Sequence, residues 1–305
     1  FEPEPVERLS AILSSMEIPL LPVMSNHERM GGNYADYLKI FGPPNYAAQV
    51  DGNLFIAIDG SRGFLPRKIL LWLEGELRSA KARVAKKRFL FCHVPVEDPR
   101  PEEHHCLASS SAKKLIELCE SYQVDAFFSG HVHRAFDYEE EGVRYVSAGL
   151  VGGRVYDLPQ EGGYYHFLHV SVYDDGLAVS DFNIGKVPNA FTVWAGDLKM
   201  RKVYIKRRDL APANSKKARR YEKRLELLKR KFSRYRRVLE KDFRDSNNRE
   251  KWKSDARRAI QREPLQIREE LLPELLDISN SAPSRSEHPR SEPSRPEHLD
   301  FMEVR

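Results

Sequence analysis

The chain has 305 residues, 41% apolar and 31% charged, with a net charge of +5. That is enough apolar material for one large domain with extensions or for two domains, and no apolar run approaches the length of a membrane span. Three cysteines, Cys92, Cys106 and Cys119, form no spaced framework, which argues against a disulfide scaffold and for a reducing, cytoplasmic setting.

The charge is unevenly placed. Residues 213–262 hold 20 Lys+Arg against 7 Asp+Glu, a net of +13 that leaves −8 on the rest of the chain. The basicity belongs to one segment.

In chain order, Val6, Leu9, Ile12 and Leu13 recur at helical spacing and predict a helix over 5–17. It feeds an apolar run, Pro19 to Met24, that predicts a strand leading into Ser25-Asn26-His27-Glu28. Residues 29–50, rich in Gly, Tyr and Pro, predict a loop near any site. Asn53–Asp59 predicts a strand, residues 66–86 a helix, and Arg88–Cys92 a strand ending at His93. Cys92 alternates with His93 and reads as buried filler ahead of a ligand. Residues 95–111 form a polar loop holding His104 and His105, read as an exposed pair ahead of a substrate contact. Ser111 is predicted to cap a helix to Tyr122.

Val124–Phe128 then predicts a buried strand running into Ser129-Gly130-His131-Val132-His133. If that segment stays extended, alternation points both imidazoles the same way, which is half a metal site or simply a surface loop. Alternating segments follow at 144–146 and 164–170, where His166 and His169 read as packed or solvent-facing. Three strand-like segments therefore end in His or Asn-His, and open α/β sheets bind ligands at the carboxyl ends of their strands.

These motifs, in order, resemble the calcineurin-like metallophosphoesterases over roughly residues 5–183. Ser25-Asn26-His27-Glu28 is similar to the family's Gly-Asn-His-(Asp/Glu), with Ser in place of Gly. Cys92-His93 resembles its lone His after a strand, and Gly130-His131-Val132-His133 its Gly-His-x-His. The family's Asp-x-His and Gly-Asp-x-x-Asp motifs have no counterpart here, and the expectation is that about two strands are missing upstream of Phe1.

The resemblance implies an α/β/β/α layered sandwich lacking its first strands. It implies metal ligands Asn26, His93 and His131 on one ion and His133 on another, both divalent and drawn from Mn, Fe or Zn. It implies His27 as the residue that contacts the phosphoryl group and protonates the leaving oxygen, with Glu28 orienting it. Two cations relieve the repulsion between anionic ester oxygens and the attacking hydroxide. The expected activity is hydrolysis of a phosphomonoester or phosphodiester by a two-metal-activated hydroxide. The phosphoesterase domain is expected over 1–185.

Past Lys186 the character changes. Phe191–Asp209 is strand-like and basic, so 186–212 is expected to be either the last strands of the domain or a connector. Ala218, Tyr221, Leu225, Leu228, Phe232, Tyr235 and Leu239 alternate steps of three and four, an a/d pattern that Asp242 ends. Its aromatic knobs suit an antiparallel hairpin or packing on the domain better than a parallel dimer. Shorter helices are expected at 252–260 and 271–278, completing a basic helical, coiled-coil extension over 213–278. Its cations are either a solvated face or a binder of nucleic acid or another anionic surface through residues 213–262. The tail, 279–305, is Pro-rich and expected to be disordered. The rival to the enzyme is a non-catalytic scaffold that binds its partner through the extension.

Overall fold

The computed structural model describes residues 11–30, 34–100, 104–184, 190–261, 263 and 265–281. In order come α1 (Asn26–Met30), α2 (Tyr34–Phe41), β1 (Tyr46–Val50), β2 (Asn53–Ile58), α3 (Arg67–Leu77), α4 (Ala80–Val84), β3 (Arg88–Cys92) and α5 (Ser109–Ser121). Then follow β4 (Ala126–Ser129), β5 (Phe136–Glu140), β6 (Val143–Ser147), β7 (His166–Val172) and β8 (Leu177–Asn183). Four helices close the described chain: α6 (Ala190–Asp209), α7 (Lys216–Asp245), α8 (Arg249–Gln261) and α9 (Leu265–Ser281).

Six strands form one sheet in the order β1-β2-β3-β4-β6-β5. The central β2, β3, β4 and β6 run parallel, and the edge strands β1 and β5 pair antiparallel. Alternation assigns the two faces. Leu54, Ile56, Ile58, Leu90, Cys92, Phe127 and Tyr145 point to one side and pack with Leu73, Leu77, Leu115 and Leu118 of α3 and α5. Phe55, Phe91 and Phe128 point to the other and form a row, neighbouring rings 6.2 and 5.1 Å apart and near parallel. Over that row lies the separate β7–β8 hairpin, and a largely apolar cavity of about 520 Å³ remains between them. The mixed α/β architecture with a mostly parallel central sheet and flanking helices is as expected; the second layer is a two-stranded hairpin.

Several local expectations are corrected. Pro19–Met24 is not a strand: Pro19 and Pro22 lack ladder donors, and the Pro22 carbonyl instead accepts from the Tyr37 and Tyr46 hydroxyls at 3.3 and 2.9 Å. The segment 29–50 is no loop. It holds α2 and β1, and β1 turns into β2 through Asp51-Gly52, both at positive φ (50° and 79°), the two-residue hairpin turn this dipeptide favours. The helix expected over 66–86 is two helices, because Ser79 caps the second by accepting the Ala82 N–H at 3.2 Å. Ser111 is not a cap; it is buried inside α5, where its Oγ accepts the Leu65 N–H at 2.9 Å. Of the helix expected over 5–17, residues 11–14 are helical and its start lies outside the described residues, as does the tail from 282 onward.

The largest correction is Phe191–Asp209. Its β-branched and aromatic content suggests a strand, yet it forms the twenty-residue α6. Val193, Trp194, Asp197 and Leu198 recur at helical spacing and are all buried, so tertiary packing overrides propensity. α6 and α7 make an antiparallel pair joined at 210–215, and Asp242 does not end α7, because Phe243 takes the next buried position. A second core joins these helices to Leu150, Val155 and Leu158 of the α/β part, with Ile260, Leu271 and Ile278 fully buried. The helices are thus packed on the domain. Leu239→Ala in this core is expected to cost ~2–5 kcal/mol. It should lower the urea midpoint followed by circular dichroism; an unchanged midpoint would show that the second core contributes nothing.

Candidate metal centre

Asn26 is delivered by α1, whose start is locked by Ser25. The Ser25 Oγ accepts the His27 N–H at 3.1 Å, and the Glu28 carboxylate accepts from the Ser25 N–H at 2.8 Å and its hydroxyl at 2.5 Å. Ser25 is thus the N-cap of α1, bonded to N2, and Glu28 closes the carboxylate half of a capping box. Burial would raise the Glu28 carboxyl, but the Ser25 hydrogen bonds outweigh it and hold the group below the usual range. Glu28 therefore secures the helix start. Arg29 ties α1 to the sheet through Asp59 at the end of β2, and its Nε donates to Ser61 Oγ at 2.8 Å.

His93 follows β3 directly. His131 and His133 follow β4 in a way that alternation does not describe: both sit in left-handed backbone, at φ 68° and 55°. The segment is a tight turn, and it is the turn that aims the imidazoles. Non-glycine residues in this region are uncommon, cost of order 1–3 kcal/mol each and collect at functional sites.

Three donors converge. Asn26 Oδ1 lies 2.9 Å from His93 Nε2 and 3.1 Å from His131 Nδ1, and the two ring nitrogens are 3.2 Å apart. Burial, then the nearby His131, push the His93 imidazole down to about 4. Burial, then His105, push His131 down to about 4 as well. Both rings are therefore neutral at physiological pH, as metal ligation requires.

His133 stands apart from the trio. Its Nδ1–H donates to the Arg154 carbonyl at 2.6 Å, leaving Nε2 with the lone pair, and its ring packs on Tyr156 at 4.9 Å. Burial lowers its pKa against the opposing effect of that hydrogen bond. His27 is exposed beside Asn26.

The donor chemistry fits a divalent ion. Two imidazole nitrogens and an amide oxygen about 3 Å apart match ligands placed ~2.0–2.2 Å from one centre. Among the described residues no group of three or more His, Cys, Asp or Glu could hold an ion, so the trio depends on the amide of Asn26.

Other histidines and Cys92 behave as packing or rim. Cys92 is buried against Gly60, its thiol pushed up to about 12 by burial. His166 is buried: Nδ1–H donates to Asp181 at 2.6 Å and Nε2 accepts the Gly149 N–H, so a Cβ on Gly149 would strike the ring. His169 is exposed. His104 and His105 are exposed, and the His105 ring comes to 6.1 Å from that of His131.

The sequence reading missed Arg154, whose carbonyl orients His133, though the flanking Gly152-Gly153 marked the turn that presents it. It also missed Arg100, buried in the polar loop and held by Asp98 at 2.8 Å, with Asp157 at 3.6 Å; no sequence signal distinguished it.

Residues 2–135 match the family model of the calcineurin-like phosphoesterases. The chain is similar to the Bos taurus serine/threonine-protein phosphatase CPPED1, 29% identical over 152 residues, 43% of this chain and 47% of that protein. The chain thus spans about half the length of this curated relative. Among solved structures it is similar to GAP50, the anchor in the inner membrane complex of Plasmodium, at 19% identity and a TM-score of 0.44, covering 57% of this chain and 64% of that one.

Unfolded histidines protonate near 6.5 and these folded ones near 4, so the metal-free fold is favoured above pH 6.5 and loses that contribution as pH falls toward 4. Metal-free protein should show ring-proton NMR shifts of His93 and His131 still neutral at pH 6. Midpoints near 6.5 would mean the rings are not gathered as described.

Proposed function

We propose that the chain is a divalent-metal-dependent phosphoesterase, acting on a phosphomonoester of a phosphorylated serine or threonine. The observation that carries this reading is the convergence of Asn26 Oδ1, His93 Nε2 and His131 Nδ1 at the carboxyl ends of two adjacent parallel strands and the start of α1. The phosphoserine or phosphothreonine substrate is supported by the name of the bovine relative.

Asn26, His93 and His131 would hold the ion, and His133, presenting Nε2, is the matching ligand for a second one. A divalent ion there supplies Lewis-acid polarisation of the phosphoryl oxygen and activation of the attacking water. A neutral imidazole can offer a ring-nitrogen lone pair to the ion, and both His93 and His131 are neutral at physiological pH. His27, exposed beside Asn26, would meet the phosphoryl group and give a proton to the departing serine or threonine oxygen. Positioned proton transfer of this kind is worth ~10²–10⁴ in rate. Mixed imidazole and amide donors suit Mn, Fe or Zn alike.

One observation favours a second reading, a metal-binding scaffold without turnover. No carboxylate joins the donor trio among the described residues, and hydroxide generation commonly draws on one.

Elemental analysis of the purified 305-residue chain should find one ion per chain. His131→Ala should lose the ion and His27→Ala should keep it while lowering p-nitrophenyl phosphate turnover ~10²–10⁴-fold. An ion retained by His131→Ala and lost by His27→Ala would invert the roles, and metal without turnover would favour the scaffold.

A further inference from the structure

The first of two recesses beside the centre is a groove of about 800 Å³ between α7 and the loop that carries His104 and His105. Its α7 wall presents Arg219, Arg220, Lys223 and Arg230. A second recess of about 450 Å³ continues along the same helix to Arg237, with Arg134 opposite. From Arg220 to Arg237 the stripe extends about 26 Å along the helix axis. The groove opens on the centre, because His105 belongs to its wall and lies 6.1 Å, ring to ring, from His131. Arg224 reaches the same place from α7, sharing a small recess with His105 and with Tyr156, the ring that packs on His133.

The stripe is rigidly mounted. The opposite side of α7 is buried through Leu228, Tyr235 and Leu239, and the Tyr235 hydroxyl donates to Asp197 at 2.6 Å. Arg220 and Lys223 are exposed with no ion pair among the described residues. Of the acidic residues in the wall, Glu226 is already matched by Lys229 at 2.6 Å.

We propose that this groove is the substrate channel of the candidate centre and takes an acidic phosphopeptide. This rests on the phosphoesterase reading above. The phosphoryl group sits at the centre, and Asp, Glu or further phosphorylated residues of the same peptide lie along α7. Two features select this ligand. A cationic stripe several residues long exceeds what one phosphate needs, and Arg and Lys clusters read acidic and phosphorylated motifs. The first groove's wall also holds no aromatic side chain beyond the two imidazoles. Single-stranded nucleic acid, which binds through stacked bases as well as charge, therefore lacks its platform.

Fluorescence anisotropy on the 305-residue chain tests this with three labelled probes. They are a phosphoserine peptide flanked by Asp and Glu, the same peptide flanked by Gly and Ala, and a single-stranded oligonucleotide of equal charge. The acidic peptide should bind about tenfold or more tightly than the neutral one, and the gap should narrow as salt rises. The double variant Arg220→Glu, Lys223→Glu should abolish the preference with metal content and circular dichroism unaltered. Lys241→Glu, further along α7 and outside the groove, should leave it intact. Equal binding of the two peptides, indifference to the double variant, or tighter binding of the oligonucleotide would overturn the proposal. Acidic-peptide binding through Arg220 and Lys223 in a chain that holds no metal would establish the groove and remove the catalytic reading, so the two fail separately.

Discussion

A buried carboxylate holds the two halves of the molecule in register. Asp197 of α6 accepts from the Arg154 guanidinium at 2.5 Å and from the Tyr235 hydroxyl of α7 at 2.6 Å, and it is almost wholly buried. Burial raises its pKa, the neighbouring Asp157 adds to that, and Lys231, the Tyr235 hydrogen bond and Arg154 oppose it. A buried charge of this kind is tolerated when its partners are in place and is costly when one is removed. Arg154 is also the residue whose carbonyl receives the His133 ring. One short chain of contacts therefore runs from the helical hairpin through a loop to a candidate ligand. The helices are part of how the centre is shaped.

What the sequence made legible follows the strength of local signals. The motifs at Asn26, His93 and His131 were readable because each ends a short apolar segment, and the parallel strands β2, β3 and β4 placed two of those ends side by side. The route to convergence was not readable. Alternation assumes extended backbone, while His131 and His133 are left-handed. Asp51-Gly52 was an available hairpin signal, passed over because the surrounding Gly, Tyr and Pro suggested a loop. α6 was illegible for a deeper reason: its strand-like residues become helical only because Val193, Trp194 and Leu198 find a partner in α7 and the 150–158 loop. The pairing of α7 with another helix was legible from its stripe, and the identity of that helix was not.

The sheet's two faces are unequally covered. Parallel sheets ordinarily bury both. Here the helix side is closed by α3 and α5, whereas the row Phe55, Phe91 and Phe128 meets the β7–β8 hairpin across a cavity lined mainly by apolar groups. His93 and Gly130 stand at its edge. The centre therefore has two dissimilar flanks, one cationic along α7 and one hydrocarbon along the sheet.

The left-handed pair at His131 and His133 bears on how such a centre can drift over evolutionary time. A side chain placed there must satisfy the backbone before it can offer a donor atom. Histidine, asparagine and aspartate are the non-glycine residues most readily found in that conformation, and all three can bind divalent cations. β-Branched residues are penalised at both positions. The turn thus acts as a filter on the genetic code, leaving exchange among donors open while closing most routes to an inert aliphatic. A lineage can exchange one donor side chain for another here without rebuilding the strand that leads into it.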